Sequence, residues 1–227
     1  MEYRNVREGR FVARRNRFVA EVELDGVVTP VHVKNTGRLR ELFVPGAAVW
    51  LSGSSAPGRS TAWDLIAARR DGRLFHVDSQ APNRLFAEWL RSGALGKVED
   101  IRPEVKFGES RLDFSFTREG RPCLAEVKGV TLCRDGGFYF PDAPTERGIR
   151  HLAELARAVK MGYTCYAVFV AQADGAEFVS PNPDRPEFAA ALAAAAAAGV
   201  KPIAFDCRVE PGRVCPGREI PVILQEG

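Results

Sequence analysis

The sequence lacks any run of about 18 apolar residues, so it predicts no membrane-spanning helix. Its opening residues, MEYRNVREGRF, are charged rather than apolar, unlike a secretory signal peptide. Histidines number only three, and no two of the five cysteines form a C-x-x-C motif, which argues against a structural zinc site. These absences favour a cytoplasmic protein with reduced thiols, in which we expect Cys123 and Cys165 to be buried within apolar runs.

The composition is that of a folded protein, and its charge is unevenly distributed. Hydrophobic residues make up 45% and charged residues 27% of the 227 residues, which excludes a wholly disordered or collagen-like chain. Residues 1–80 carry 13 of the 32 Lys and Arg but only 9 of the 29 Asp and Glu. A basic first part beside a near-neutral second part favours a polyanion-binding module joined to a different unit, although scattered surface arginines would give the same count.

Residues 1–80 are predicted to form an all-β domain. Turn signals (Asp25-Gly26, Pro45-Gly46 and Asp71-Gly72) separate strand-like runs in this part of the sequence. The five runs are FVARRNRFVAEVEL, VVTPVHVKN, AAVWLSG, AWDLIAARR and RLFHVDS. Five short strands favour an OB-fold barrel, an architecture that commonly holds nucleic acid or sugars. An SH3-like barrel would leave much the same pattern and stays open as an alternative.

Residues 81–227 are predicted to form an α/β domain with a mixed central sheet. A helix over about 82–93 precedes three strand-like runs, and a longer helix follows over about 145–161, with Thr145 as its N-cap. TCYAVFVAQ is typical of a strand buried on both faces. An alanine-rich helix and the strand-like run KPIAFDCRV complete the alternating order, which places the domain boundary near residue 80.

Three charged residues lie inside runs that otherwise look buried. Asp113 lies within RLDFSF, and Glu126 and Lys128 lie within CLAEVKGV, two apart and therefore on the same face of a strand. Buried charges are costly unless they are paired, hydrogen-bonded or bound to metal. Two carboxylates beside an ammonium suit metal-assisted phosphodiester cleavage, with Asp113 and Glu126 holding Mg²⁺, or Mn²⁺ in its place, and Lys128 orienting water or neutralising phosphate charge.

The same spacing has a second interpretation, a buried salt-bridge network that performs no reaction. Another Glu-x-Lys pair occurs at Glu104 and Lys106, but it has no aspartate within a strand before it. Glu88, on the preceding helix, would complete the metal site or remain an exposed helix carboxylate. The residues alone leave both alternatives open.

The basic part contains two arginine-rich motifs, RRNRF and NTGRLREL. Arginine suits phosphate oxygens, and a glycine such as Gly37 lets the backbone approach them. The candidate DNA-binding residues are Arg14, Arg15, Arg17, Lys34, Asn35, Arg38 and Arg40. Phe11, Phe18 and His32 would offer stacking surfaces for single-stranded bases, but we expect Phe18 to lie in the barrel core. His151, on the longer helix, would line the same cleft or serve a structural role.

Six motifs stand in one order along the chain, and the resemblance they carry covers roughly residues 1–224: RRNRF, NTGRLREL, VPG, FGESRLDF, AEVKGVTL and FPDAPTERGIRHL. Together they closely resemble the sugar fermentation stimulation protein family, SfsA, of bacteria and archaea. The resemblance implies an N-terminal OB-fold domain over 1–80 and a restriction-endonuclease-like, PD-(D/E)xK nuclease-like domain over 81–227. It further implies sequence-nonspecific DNA binding and a role in regulating sugar (maltose) metabolism.

The resemblance also assigns roles to individual residues. Asp113 matches the motif aspartate, Glu126 and Lys128 match its Glu-x-Lys, and Glu88 is matched to the helix glutamate of such nucleases. Lys34 adds charge to the DNA face where a neutral residue is common. The primary hypothesis is a DNA-binding protein with a nuclease-type site; the alternatives are a non-catalytic DNA-binding regulator of sugar metabolism genes and an RNA- or oligosaccharide-binding OB module. Whether the protein is an enzyme, and its oligomeric state, stay open.

Overall fold

The computed structural model describes residues 1–35, 37–53, 58 and 60–224. Thr36, in the NTGRLREL motif, lies outside the described residues. The strands of the N-terminal domain are β1 (Val6–Arg14), β2 (Val19–Leu24), β3 (Val27–Val33), β4 (Ala48–Gly53), β5 (Trp63–Arg70) and β6 (Arg73–His76).

The first five strands form the predicted barrel. Their order is β3-β2-β1-β4-β5, and β3 also pairs with β5 in parallel, through His32 with Asp64 and Val33 with Leu65. This last pairing joins the two ends of the sheet, so that no strand of the five is left as an open edge. The interior is apolar and includes Phe11, Val22, Val31, Val49, Leu51 and Leu65. The OB-like five-stranded barrel is therefore confirmed.

Two details of the barrel prediction are wrong. FVARRNRFVAEVEL contains two strands, because the Asn16 side-chain oxygen accepts the backbone N–H groups of Phe18 (2.8 Å) and Val19 (3.0 Å) and fixes a turn between β1 and β2. This turn leaves Phe18 51% exposed rather than in the core. RLFHVDS supplies β6, which pairs with β5 but takes no part in closing the barrel.

The remaining elements form the C-terminal domain. They are α1 (Ala81–Arg91), β7 (Val98–Phe107), β8 (Ser110–Arg118), β9 (Arg121–Val130), β10 (Leu132–Arg134), β11 (Gly137–Phe140), α2 (Glu146–Lys160), β12 (Thr164–Ala171), β13 (Phe178–Pro181), α3 (Pro186–Ala197), β14 (Lys201–Glu210) and β15 (Arg213–Ile220). The main sheet has the order β15-β14-β12-β9-β8-β7. β9, β12 and β14 are parallel and the outer strands are antiparallel, so the mixed central sheet is confirmed.

Local sequence explains how α2 begins and why β12 is buried on both faces. The Thr145 hydroxyl accepts the Gly148 N–H at 3.0 Å and caps α2, as predicted. α1 and α2 both pack against β12, which explains its continuous apolar run. Cys123 and Cys165 are buried, as expected. No helix in the part of the chain that the structure describes is long and apolar enough to cross a membrane.

The two domains are joined by several backbone contacts. The Tyr3 N–H donates to the Gly212 carbonyl at 2.8 Å, so the chain start lies against the C-terminal sheet. At the end of β6, the His76 N–H donates to the Gln172 carbonyl, also at 2.8 Å. Buried side chains of the barrel interior and of the α2 face of the sheet form one continuous apolar cluster. This packing fixes the barrel over the end of β9.

Candidate nuclease-type site and basic groove

Asp113, Glu126 and Lys128 meet where two central strands separate. The β8–β9 ladder ends at the pair Phe114–Ala125, and Asp113 and Glu126 are the next residues on the two strands. Beyond that pair, the Asp113 carboxylate replaces the backbone acceptor and takes the Val127 N–H at 2.8 Å. The predicted carboxylates are therefore brought to one point of the sheet.

The two oxygens of Glu126 have different surroundings. Oε1 accepts from Lys128 Nζ at 2.5 Å and from His151 Nδ1. Oε2 is buried and accepts no hydrogen bond from any described residue. Burial favours the neutral acid, but the hydrogen bond from His151 and the charge of Lys128 outweigh it and lower the pKa of Glu126. The site thus holds an ionised carboxylate with one uncompensated oxygen.

Asp113 experiences the opposite effect. Burial, followed by the charge of Glu126, raises the pKa of Asp113, although its oxygens accept the Val127 N–H and Asn83 Nδ2, the latter at 3.0 Å. Asp113 is half-buried, and its carboxylate lies close enough to Glu126 for the negative charge of Glu126 to disfavour its ionisation. A divalent cation would relieve that repulsion, so these residues fit one.

The donor set also indicates which cation fits. Within residues 1–35, 37–53, 58 and 60–224, no three His, Cys, Asp or Glu side chains are grouped to hold a metal. These residues therefore do not form a four-ligand structural zinc site. Mg²⁺ usually keeps several waters and takes one or two carboxylates together with substrate phosphates, which is what Asp113 and Glu126 can supply.

His151 is held in a defined orientation by Arg147. Arg147 Nε lies 3.4 Å from His151 Nε2, and a guanidinium can only donate. Nε2 is then the acceptor, Nδ1 carries the proton, and that proton is donated to Glu126. The four-residue spacing of Arg147 and His151 places both on one face of α2 and is the sequence signal for this pair.

Glu88 is not brought to this site. The N-terminal amino group of Met1 lies 3.3 Å from its carboxylate. Asn83 contacts Asp113 from the same helix, and five residues of α-helix correspond to about 140° of rotation and about 7.5 Å of rise. Glu88 therefore projects from another part of α1, and Asn83, which the sequence analysis missed, is the contribution of α1 to the site.

The candidate DNA-binding residues divide into two groups. Arg14 directs its five N–H donors at carbonyl oxygens of Asn16, Arg17, Asn35, Gly37 and Arg38. Arg15 is paired with Glu21, Lys34 lies 3.1 Å from Asp64, and the Asn35 amide donates to the Val77 carbonyl at 3.0 Å. Arg17, Arg38 and Arg40 are exposed and have no ion pair within the described residues.

Those three arginines line a groove of about 640 Å³ on the barrel, which we call the basic groove. Phe11 and Phe43 line it as well, with ring centroids 5.2 Å apart. A second opening of about 330 Å³, the interdomain cleft, is lined by Asn35, Gly37 and Leu39 of the barrel and by two segments of the C-terminal domain, 129–132 and 139–145. The cleft begins one residue after Lys128.

Comparisons with known proteins agree with this architecture. A family model described as the SfsA N-terminal OB domain matches residues 12–77, and one described as the sugar fermentation stimulation protein RE domain matches 80–213. The chain belongs to the SfsA family. Sugar fermentation stimulation protein homologs from Desulfitobacterium hafniense (strain Y51) and Ruminiclostridium cellulolyticum are 45% and 41% identical to it, over 100% and 99% of this chain and 100% of each relative.

A solved SfsA structure has the same fold. It is that of Pyrococcus furiosus SfsA in complex with Ca²⁺, which is 26% identical and superposes with a TM-score of 0.89 over 98% of each chain. The predicted membership of the SfsA family and the predicted fold class are therefore both confirmed.

Proposed function

We propose that this SfsA family protein binds DNA without sequence preference and carries a Mg²⁺-dependent phosphodiesterase site, in which Mn²⁺ can substitute. The observation that carries the proposal is the buried, unpartnered Oε2 of Glu126 beside a second, half-buried carboxylate, Asp113. A purely structural ion pair has no need of that arrangement, because leaving a buried charge uncompensated is costly. The Ca²⁺ bound to the Pyrococcus furiosus relative supports an oxygen-ligated divalent cation.

Each residue of the site has a role in this proposal. Asp113 and Glu126 would hold the cation, which when bound polarises the phosphate and lowers the pKa of the attacking water. Lys128, 2.5 Å from Glu126, neutralises charge that develops on the phosphate. His151 donates to Glu126 Oε1 and so orients the carboxylate, while Oε2 has no partner among the described residues and is left for the cation.

DNA binding is assigned to the basic groove. Arg17, Arg38 and Arg40 are exposed and lie together without carboxylate partners among the described residues, so their guanidinium groups are available to phosphates. Contacts of this kind position a backbone and carry no sequence information. The proposal therefore includes little sequence preference and a steep loss of affinity with salt.

A non-catalytic regulator is the second candidate. The ion pair of Lys128 with Glu126 and the hydrogen bond from His151 favour it, because together they satisfy one carboxylate oxygen without any metal. The family name, sugar fermentation stimulation, would then reflect DNA binding at genes of sugar (maltose) metabolism. In the first candidate that phenotype is an indirect result of cleavage.

The deciding experiment measures DNA binding and DNA cleavage side by side at about 100 mM salt. Wild type, Asp113→Asn and Lys128→Met are compared in Mg²⁺, Mn²⁺ and EDTA. Metal-dependent cleavage by the wild type, lost in both variants while binding persists, supports the proposal. Binding by all three proteins with no cleavage in any metal favours the regulator. A neutral oligosaccharide and an RNA of matched length test the remaining alternative.

A further inference from the structure

Arg147 reaches the proposed catalytic carboxylate through a single imidazole ring. Its Nε lies 3.4 Å from Nε2 of His151, and Nδ1 of the same ring donates to Glu126 Oε1. His151 is only 5% exposed, so packing as well as these two contacts fixes the ring. The position of the Arg147 guanidinium is therefore tied to that of Glu126.

Most of the Arg147 guanidinium is not used by the protein. Nε is its only atom with a hydrogen-bond partner in the part of the chain that the structure describes, and no carboxylate there pairs with it. The side chain is exposed, so the donors on Nη1 and Nη2 face solvent. A planar set of unpaired donors beside two carboxylates that fit a cation is suited to phosphate oxygens.

Arg147 and Lys128 lie at different distances from Glu126. Oε1 of Glu126 accepts from Lys128 Nζ at 2.5 Å and from His151, whereas Oε2 has no partner among the described residues. In the proposed site Oε2 is left for the cation, and Lys128 neutralises the phosphate under attack. Because the imidazole ring separates Arg147 from Glu126, a backbone with one phosphate at the cation brings a neighbouring phosphate, rather than the same one, within its reach.

We infer that Arg147 binds the DNA phosphate next to the one attacked at Asp113 and Glu126, and so fixes where the backbone lies across the site. The inference rests on the proposed function and adds to it a residue of α2 that contacts the substrate. His151 already holds Nε, so Arg147 loses less rotamer freedom on binding than an unrestrained surface arginine. The contact is with the backbone alone and therefore adds no sequence preference.

The test removes the charge of one phosphate at a time. An end-labelled DNA carries a single methylphosphonate, which is uncharged, and cleavage in Mg²⁺ is mapped at every other linkage. Wild type is compared with Arg147→Gln and Lys160→Gln. A glutamine places its amide nitrogen where Arg147 has Nε, so it can still donate to His151 but offers no charge to phosphate. Lys160 is an exposed cation about 20 Å further along α2 and is the matched control.

We expect the wild type to cut the linkage on one side of the methylphosphonate about tenfold less than distant linkages, the range of one charge-assisted hydrogen bond. Arg147→Gln should cut unmodified DNA about tenfold more slowly and show no added loss at that linkage. Lys160→Gln should reproduce the wild-type pattern. Equal suppression of that linkage in wild type and Arg147→Gln would overturn the inference, because a residue that only orients His151 gives additive losses.

Binding in Ca²⁺ separates this inference from the proposed function. The slope of log K against log salt should fall by about 0.7–0.9 in Arg147→Gln and stay unchanged in Lys160→Gln. A lower slope in Arg147→Gln, with no cleavage by the wild type in Mg²⁺ or Mn²⁺, would reject the nuclease and retain Arg147 as a phosphate contact. Metal-dependent cleavage by the wild type, with an unchanged slope in Arg147→Gln, would retain the nuclease and reject the contact.

Discussion

Arg14 donates from Nη1 to the carbonyl oxygen of Gly37 at 2.5 Å, joining the end of β1 to the loop after β3. Its other donors reach the carbonyls of Asn35 and Arg38 in that loop and of Asn16 and Arg17 in the β1–β2 turn. The turn carries Arg17 and the loop carries Arg38, and both line the basic groove. Arg14 therefore holds together the turn and the loop from which Arg17 and Arg38 are exposed.

Replacing Arg17, Arg38 and Arg40 together by Ala should weaken DNA binding and reduce its salt dependence. Each lost phosphate contact should lower the slope of log K against log salt by about 0.7–0.9. The unfolding free energy should change little, because all three side chains are exposed. Binding titrations at several salt concentrations measure the slope, with Arg121→Ala, an exposed arginine outside the groove, as the control. An unchanged slope in the triple variant would contradict the assignment.

Arg14→Ala should act mainly on stability. Removing the guanidinium takes away the donors of two partly buried carbonyls, those of Asn35 and Gly37, and of three exposed ones, at a cost of about 1–3 kcal/mol. Arg14→Lys should recover little of that, because an ammonium is a single centre with three donors and cannot span five carbonyls. Urea unfolding of both variants measures the loss. If both instead keep wild-type stability and lose salt-dependent DNA binding, Arg14 is itself a phosphate contact.

The arginine motifs illustrate the limit of what a sequence can predict. Arg14 and Arg17 belong to one motif, yet Arg14 donates all its hydrogen bonds to backbone carbonyls, whereas Arg17 is exposed. The difference arises because the loop that follows β3 folds back over β1, a long-range contact that local spacing does not encode. Phe18 is exposed for a related reason, because the turn that Asn16 imposes interrupts the strand-like run.

The site was predictable where it depends on strands alone. The placement of Asp113 beside Glu126 follows from two strand-like runs joined by a short turn, and this adjacency is local in sequence. Asn83 and His151 reach the same carboxylates from helices on either side of the sheet, which only the tertiary packing determines. Glu88 lies on the same helix as Asn83 but about 140° around its axis, so it does not face these carboxylates.

His151→Ala should weaken divalent cation binding by about 10–100-fold, the usual cost of removing a residue that orients a metal ligand. Without the hydrogen bond to Oε1, the Glu126 carboxylate loses the contact that fixes its orientation and leaves Oε2 unpartnered. Calorimetric titration with Mn²⁺ measures the affinity. DNA binding in EDTA should be unchanged, because the basic groove is on the barrel. A variant with wild-type Mn²⁺ affinity would limit His151 to a packing role.

Gly129→Ala should destabilise the protein by about 1–3 kcal/mol, because the added methyl group overlaps Gln172 Oε1 and Pro82 Cγ. Part of the loss should be recovered in the double variant Gly129→Ala with Gln172→Ala, which removes one of the two clashes. Unfolding free energies of the four proteins form a double-mutant cycle. If the changes in unfolding free energy of the two single variants simply add in the double variant, residues 129 and 172 do not contact each other as described.

Acid should destabilise the protein through His76, a buried residue at the junction of the domains. His76 Nδ1 lies 3.4 Å from Gln172 Nε2, and His76 Nε2 lies 3.0 Å from the Tyr3 hydroxyl, which itself donates to Asp78. Burial lowers the pKa of His76 to about 4, although Asp78 opposes the shift and the N-terminus and Lys34 add to it. The neutral imidazole is therefore the form that this network accommodates.

The sign of the effect follows from proton uptake. Below pH of about 6.5 the unfolded chain protonates His76, whereas the folded protein resists protonation until the pH approaches 4. Stability should fall as the pH decreases through that window, by up to about 3 kcal/mol from this residue. His76→Gln cannot take up the proton, so its urea-unfolding free energy should decline less between pH 7 and pH 4.5 than that of the wild type. Parallel declines in the two proteins would mean that other groups, chiefly the carboxylates common to both, account for the acid sensitivity.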